Sequence, residues 1–541
     1  MTSHRMIAPG LLGLLALGSG TEAAGPRPNI VLILADDLGW GDVSFNGRTE
    51  WTTPNLDRMG TRGIIFKRFY TAAVTCAPSR AALMTGRATI HNGVTRNDDD
   101  LPAREVTIAE ALKAQGYATA LFGKWHHGKA RDKDGPAAYV HPMDQGFDEF
   151  FGFTDAVHAL EKFPKTLWNG RAQEPVSGYS DDLFTDHAVD FLKRHQGGPF
   201  FLYIPYTSSH YNIEVPDDEL ARHRGKFPER DSAWQVNATY AAMVTRLDRN
   251  VGRVLAALDE LGLAEKTLVL FTSDHGATFE AGNLGASNFH DSNRPFRGQK
   301  RTLWEGGIRV PAIARWPGHV PAGAVSDDVT HMTDLFPTIL GAVGAEPDPA
   351  WRIDGLDLGP VWTGTATAPE RTLFWEWRSE GAHQLAAMRG RFKLVITGDE
   401  RPELFDIEAD PAERRNVIAE HPELARDLRR ALQAWLATEV AHCRRACRPL
   451  AGTAPNGQDL QLRDAIKLDE AEAARPHKTI DWVHFTCPNG DAAPDNLGIN
   501  TFEGDDSAKI CSGGPGDGRP TKCKVGDDGP QNMIVRKREK D

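Results

Sequence analysis

Asn29-Ile30-Val31-Leu32-Ile33-Leu34-Ala35, closed by Asp36-Asp37 and continuing Leu38-Gly39-Trp40-Gly41-Asp42, is the stretch on which the fold turns. An apolar run this short, rich in branched side chains and ended by two adjacent carboxylates, reads as a strand buried on both faces, the usual state of a parallel strand. Three further runs repeat the pattern. Tyr117 to Phe122 ends in Gly123-Lys124-Trp125-His126, Phe200 to Pro205 leads to His210, and Thr267 to Phe271 ends in Thr272-Ser273-Asp274-His275-Gly276. Between them lie stretches of helical spacing at Thr107 to Ala114, Leu183 to His195 and Ala238 to Leu261. Strand alternating with helix predicts an α/β fold, a large and mostly parallel sheet sandwiched by helices. Ligands of such sheets bind in the crevice outside the carboxyl ends of the strands, which is where these acids, histidines and the lysine fall.

The pattern changes near Pro321. Met332 to Val343 is helical in spacing, Thr372 to Trp377 and Arg391 to Ile396 are strand-like, and Pro422 to Thr438 is an amphipathic helix. We read residues 25–320 as a catalytic domain, 321–440 as a smaller C-terminal α+β domain, and 441–541 as an irregular Gly/Pro/Asp-rich tail. The tail carries Cys443, Cys447, Cys487, Cys511 and Cys523, enough for up to two disulfides in an oxidising compartment. A chain of 541 residues readily supports more than one core.

At the other end, His4 and Arg5 precede the apolar run Leu11 to Leu17 and the small residues Ala23 and Ala24. That is the pattern of a signal peptide over residues 1–24, and the run is too short to cross a bilayer of ~30 Å. A secreted or periplasmic protein without membrane insertion is expected. With 62 Lys+Arg against 74 Asp+Glu, the net charge of -12 argues against a nucleic-acid partner, so an anionic substrate must be met by local cations.

Two constellations carry chemistry. In Cys76-Ala77-Pro78-Ser79-Arg80, followed by helical residues Ala81 to Thr85, the proline suits the first turn and places Cys76 at a helix N-terminus, with Arg80 as a fixed cation beside it. Asp36, Asp37 and Asp274, with His275, form the second. Carboxylates ~5 Å apart repel by about 3 kcal/mol per pair at an effective dielectric near 20, so a cation or protonation must relieve them. Oxygen donors favour a hard ion such as calcium or magnesium.

From Pro28 to about Trp435 the chain resembles the sulfatase family. The resemblance rests on Cys76-x-Pro78-x-Arg80 with Thr85-Gly86-Arg87 after it, on the run ADDLGWGD from Ala35 to Asp42, and on Gly123-Lys124-Trp125-His126. It extends to Arg297-Gly298-Gln299-Lys300 with Glu305-Gly306-Gly307-Ile308-Arg309-Val310-Pro311. It implies oxidation of Cys76 to formylglycine (3-oxoalanine) by a formylglycine-generating maturation enzyme. It also implies one calcium ion held by Asp36, Asp37, Asp274, His275 and residue 76. The family commonly has Asp-Asn where this chain has Asp274-His275, and an imidazole donor brings manganese closer, with magnesium the other alternative.

By the same resemblance Arg80, Lys124 and Lys300 contact the sulfate, His126 is a base, and His210 or Lys300 gives the leaving oxygen its proton. The expected reaction is hydrolysis of a small-molecule, aryl or carbohydrate sulfate ester. A phosphonate or phosphodiester hydrolase is the nearest alternative, and an inactive secreted glycan-binding protein a remote one. His127, His141, His158 and His290 read as core or surface histidines. Phe153 to Trp168, Tyr211 to Arg230 and Phe279 to Arg294 are the expected pocket loops.

Overall fold

The computed structural model describes residues 27–128, 140–230, 235–379, 382–398 and 402–446, with the two-residue stretches 448–449, 480–481, 485–486 and 536–537. The expected signal peptide, and the cysteine side chains from Cys443 onward, lie outside the described residues. In chain order the strands of the catalytic region are β1 (Asn29–Asp36), β2 (Ile64–Phe66), β3 (Phe69–Tyr70), β4 (Ala118–Lys124), β5 (Glu149–Phe153) and β6 (Thr166–Asn169). They continue with β7 (Ala172–Pro175), β8 (Phe200–Ser209), β9 (Thr267–Ser273), β10 (Ala312–Arg315), β11 (Ala324–Ser326) and β12 (Thr330–His331). Ten of them form one sheet in the order β11-β2-β10-β9-β1-β8-β4-β5-β6-β7.

The centre of that sheet, β9-β1-β8-β4, is parallel throughout. All four of its strands therefore end at the same edge, and these are the four runs singled out by their polar endings. Departures from the parallel pattern are confined to the flanks, where β10 runs antiparallel to both β9 and β2, and β5-β6-β7 is an antiparallel meander.

Both faces of β1 are buried, as its unbroken apolar run requires. Ile30, Leu32 and Leu34 enter one core with helices α1 (Cys76–Thr85), α2 (Ile108–Ala114) and α5 (Leu335–Ala342). Val31, Ile33 and Ala35 enter the other with α3 (Ser180–Arg194) and α4 (Val236–Glu260). At about 1.5–3 kcal/mol per fully buried aliphatic side chain, this strand alone strongly favours its central place in the sheet. The site residues inherit that rigidity.

Beyond Val320 the large sheet continues. The expected division at 320/321 falls between β10 and β11, which flank β2 on its two sides, and α5 packs within the large domain. The smaller domain is an antiparallel sheet, β13 (Thr372–Ser379), β14 (Ala382–Arg389), β15 (Phe392–Thr397) and β16 (Glu403–Asp406), followed by α6 (Pro422–Ala446). One face packs Ala387, Leu394 and Leu404 against Leu428 and Leu432 of α6. The opposite face packs Trp375, Ala386 and Met388 against Tyr70, Leu303 and Ile308 of the catalytic region. Among the described residues no helix is long and apolar enough to span a membrane.

Candidate active site

At the shared edge of β9, β1, β8 and β4 the chain gathers ten charged, polar or sulfur-bearing groups that the sequence marked. Asp36 and Asp37 end β1, Lys124 and His126 end β4, His210 follows β8, Asp274 and His275 follow β9, Lys300 enters from the loop before β10, and Cys76 and Arg80 come from α1; all are buried. Asp37 and His126 adopt left-handed backbone, at φ 60° and 68°. Residues other than glycine pay of order 1–3 kcal/mol for sparsely populated conformations, and such strain persists where the surroundings enforce it.

The carboxylates are separated by cations. Lys124 Nζ lies 2.7 Å from Asp36 Oδ2, and Lys300 Nζ donates to both oxygens of Asp37 at 3.1 Å. Arg80 donates from Nε and Nη2 to Asp274 Oδ2 at 3.1 and 3.0 Å. The repulsion expected among the three acids is thus relieved in part by the side chains expected to bind sulfate. Arg80 also donates from Nη1 to the Lys124 carbonyl at 2.8 Å, so it knits the tips of β4 and β9 together as well as contributing charge.

Cys76 is the first residue of α1, and its Sγ is 3.3 Å from His275 Nε2 and 3.6 Å from Asp36 Oδ1. The backbone there offers an anion less than its position suggested. Pro78 has no N–H, and the Ala77 N–H is taken by Asn97 Oδ1 at 3.1 Å. Attraction for an anion at this helix end therefore comes chiefly from the surrounding cations.

Burial works to raise Asp36, but Lys124, then Arg80 and Lys300, outweigh it and hold the carboxyl well below the usual range. Asp37 is pushed up to about 6 by burial, with Lys300 and His275 only partly opposing it and Asp36 and Asp274 adding to it. Burial opposes charge on His275, yet Asp274, Cys76 and Asp37 push its pKa up to about 9. A carboxylate resisting ionisation beside an imidazole drawn to protonation is what a donor cluster shows when no added cation balances it. Asp36, Asp37, Cys76 and His275 each bring a ligand atom within 4.8 Å of the others, with Asp274 Oδ1 3.6 Å from His275 Nε2. The donor set fits a divalent cation.

Lys300 and the two histidines are held in opposite charge states. Burial notwithstanding, Asp37, Cys76 and Glu280 hold the Lys300 ammonium well above its usual range. Burial, then Lys124 and Arg80, keep His126 neutral, with Nδ1 buried and without a hydrogen-bond partner. Burial and Lys300 likewise keep His210 neutral, and its Nδ1 lies 2.6 Å from the Tyr211 carbonyl, which assigns the proton to Nδ1. His126 is thus held neutral and Lys300 charged.

Comparison with known proteins decides the family. A profile of the sulfatase family matches residues 28–345, and one described as N-sulphoglucosamine sulphohydrolase, C-terminal, matches 297–439.

The chain belongs to the sulfatase family.

The sulfatase is 35% identical to N-acetylgalactosamine-6-sulfatase of Canis lupus familiaris over 421 residues, 71% of this chain and 74% of that one. It is 34% identical to arylsulfatase A of Homo sapiens over 461 residues, 75% and 86% of the two chains. Among solved structures it is similar to Ps i-CgsB in complex with k-i-k-neocarrahexaose, at TM-score 0.67 and 29% identity, covering 76% of this chain and 92% of that one. It is therefore a sulfuric ester hydrolase acting on sulfate monoesters.

The sulfatase site also contains residues that sequence reasoning passed over. Glu280, in an expected pocket loop, lies 3.3 Å from Lys300 through Oε2 and 2.5 Å from Arg301 Nε through Oε1. Lys162, in another, donates from a buried Nζ to the Thr207 carbonyl at 2.9 Å and is lowered to about 8 by burial, with Asp181 opposing. Neither stands in a motif, so the only signal was a charged residue within a loop predicted to face the site. His290 bonds the Asn237 carbonyl at 2.9 Å, and His141 accepts from the Met143 N–H at 3.2 Å.

Proposed function

We propose that this sulfatase, exported behind a signal peptide, hydrolyses sulfate esters of carbohydrates through a formylglycine made from Cys76, with one calcium ion held by Asp36, Asp37, Asp274 and His275. The observation that carries the reading is Cys76 at the head of α1, within 3.3 Å of His275 and 3.6 Å of Asp36. Bound there, a divalent cation supplies Lewis-acid charge to a sulfuryl group and to the hydroxyl that attacks it. The hydrated aldehyde supplies two hydroxyls on one carbon, one to accept the sulfuryl group and one whose deprotonation lets sulfate leave; an unmodified thiol has no counterpart to the second.

The chain's own groups do the remaining work. Asp36, Asp37 and Asp274 balance Arg80, Lys124 and Lys300 in formal charge, so any added divalent cation leaves the pocket net positive toward a sulfate ester. Lys124 and Lys300 present ammonium groups to the sulfuryl oxygens, where fixed cations in a dry site are most effective. Of the two acids the sequence left open, Lys300 is held charged while His210 is neutral with its one proton on the Tyr211 carbonyl, and a departing alkoxide is basic enough to take a proton from an ammonium. His126, neutral and with Nδ1 unengaged, is the base for the second hydroxyl.

The substrate class rests on the relatives: one is named N-acetylgalactosamine-6-sulfatase and a similar structure holds k-i-k-neocarrahexaose. The test has two parts. The peptide containing residue 76 should show the mass of formylglycine when the chain is made with a maturation enzyme. Cys76→Ala should then lower kcat/KM for an aryl sulfate by at least about 10³-fold, some 4 kcal/mol of transition-state stabilisation. Substantial activity in that variant would overturn the assignment, and faster turnover of aryl phosphonates or phosphodiesters than of the sulfate would favour the alternative hydrolase.

A further inference from the structure

Before conversion, residue 76 is a thiol, and the atoms around it are spaced for a different metal. In tetrahedral zinc sites, Zn–S near 2.3 Å and Zn–N or Zn–O near 2.0–2.2 Å place ligand atoms about 3.4–3.6 Å apart. Three such edges are present. Cys76 Sγ to His275 Nε2 is 3.3 Å, Cys76 Sγ to Asp36 Oδ1 is 3.6 Å, and His275 Nε2 to Asp37 Oδ1 is 3.4 Å. The ligand atoms of all four residues lie within 4.8 Å of one another.

A second, independent feature is the outer shell. Ligating histidines almost always donate their other ring N–H to a carbonyl or carboxylate, and ligating carboxylates are themselves hydrogen-bonded. His275 Nδ1 is 3.0 Å from the Gly276 carbonyl, which turns the Nε2 lone pair toward Cys76. Asp36 Oδ2 receives Lys124 at 2.7 Å, leaving Oδ1 on the Cys76 side, and Asp37 Oδ2 receives Lys300 at 3.1 Å, with Oδ1 3.4 Å from His275 Nε2. Two cations compete there, since Lys300 also touches Asp37 Oδ1 at 3.1 Å and Arg80 Nη2 lies 3.4 Å from Asp36 Oδ1.

We infer that the unconverted chain binds one zinc ion, or another thiophilic divalent metal, through Asp36 Oδ1, Asp37 Oδ1, Cys76 Sγ and His275 Nε2. Binding forms a sulfur–metal and a nitrogen–metal bond and releases to solvent the Cys76 thiol proton and the proton on His275 Nε2, because a coordinating thiol is deprotonated outright and a ligating imidazole nitrogen carries none. Conversion of Cys76 removes the sulfur and leaves an oxygen-rich set with one imidazole, which suits a harder ion. Oxidation of one side chain therefore changes the metal the site prefers. The inference concerns the chain before conversion and stands whether or not conversion occurs.

The test uses the full chain made without a maturation enzyme, with the cysteine at position 76 confirmed by mass and metals stripped by chelation. Titration with Co2+ should give one ion per chain, with a thiolate-to-cobalt charge-transfer band in the near ultraviolet and the strong visible absorption of tetrahedral cobalt. Zn2+ should abolish both signals. Cys76→Ser, checked for native circular dichroism, should lose the charge-transfer band. Its zinc affinity, measured against a chromophoric chelator, should fall by at least about 100-fold, since even an outer-shell partner is worth 10–100-fold. Calcium, which takes oxygen donors, should bind the serine variant at least as tightly as the parent. Cobalt bound without the thiolate band, or equal zinc affinity in the two proteins, would overturn the inference.

Discussion

Two clusters of buried charge lie at opposite ends of the segment from Lys300 to Arg309, and they are built on opposite terms. At the active site, Asp36, Asp37 and Asp274 face Arg80, Lys124 and Lys300 around Cys76, beside two residues in left-handed backbone. In the other cluster, between the catalytic region and the smaller domain, Lys393 Nζ is 3.0 Å from Glu305 Oε1 and 2.9 Å from Glu413 Oε1, with all three side chains 0% exposed. Glu305 Oε2 receives Tyr70 Oη at 2.9 Å, and its backbone N–H donates to Glu413 Oε2 at 2.7 Å. Leu303 N–H donates to Gln384 Oε1 at 2.7 Å, which ties the same segment to β14.

The second cluster fastens one domain to the other, and its groups face protein on every side. The first has four ligand atoms within 4.8 Å of one another and a buried histidine, His126, with a bare ring nitrogen. The difference teaches that buried charge alone does not mark a catalytic centre; what marks it is charge whose natural partner lies outside the chain. The two are also linked mechanically, because Gly276 N–H bonds the Gly307 carbonyl at 3.0 Å, and a Cβ on Gly276 would stand 1.8 Å from the Gly306 oxygen. That close approach, open only to glycine at position 276, lets the Lys300 segment rest against the tip of β9.

Breaking the interface cluster should have the largest effect on stability. Lys393→Met removes the cation shared by two buried acids, leaving Glu305 only Arg309 at 3.3 Å, and should cost about 3–5 kcal/mol in urea unfolding. Adding Glu305→Gln and Glu413→Gln should recover most of that loss, and failure of the triple variant to recover would mean that Lys393 acts through packing rather than charge. The matching change at the active site, Lys300→Met, should behave in reverse. It should lower kcat/KM by about 10²–10³-fold, or 2.7–4 kcal/mol of barrier, and shift unfolding less than Lys393→Met does. Equal destabilisation by the two would erase the distinction between them.

A further expected effect is one of pH. Burial raises Glu413 from its ordinary 4.5 to about 7, with Lys393 opposing and Glu305 adding. Between those two values the folded protein keeps a proton that the unfolded chain has released, so stability falls as pH rises through that window and levels off above it. Glu413→Gln should flatten that slope in thermal unfolding measured across the window, and an unaltered slope would show that Glu413 is not its source.

Much of the centre was legible in the sequence because each relevant strand carries its functional group at its own end. An apolar run closed by Asp36-Asp37, or by Asp274-His275, states both the strand and the side chain it delivers. β14 was not legible. Ala382–Arg389, AHQLAAMR, has a helical composition, and pairing with β13 on one side and β15 on the other holds it as a strand. Glu280, Lys162, Lys393 and Glu413 were equally silent, since a single charged residue in a polar stretch reads the same whether solvent or protein surrounds it.

The sequence by itself determined the parallel core, the chemical identity of the site residues and the family, since apolar periodicity and short motifs are properties of neighbours along the chain. Only the tertiary structure decided which cation faces which acid, that Arg80 spends donors on Asp274 and the Lys124 carbonyl, that Lys300 is held charged while His210 is held neutral, and that Glu305 answers to Lys393. Those are properties of neighbours in space, where distance and burial set the strength of a charge interaction and sequence separation does not enter.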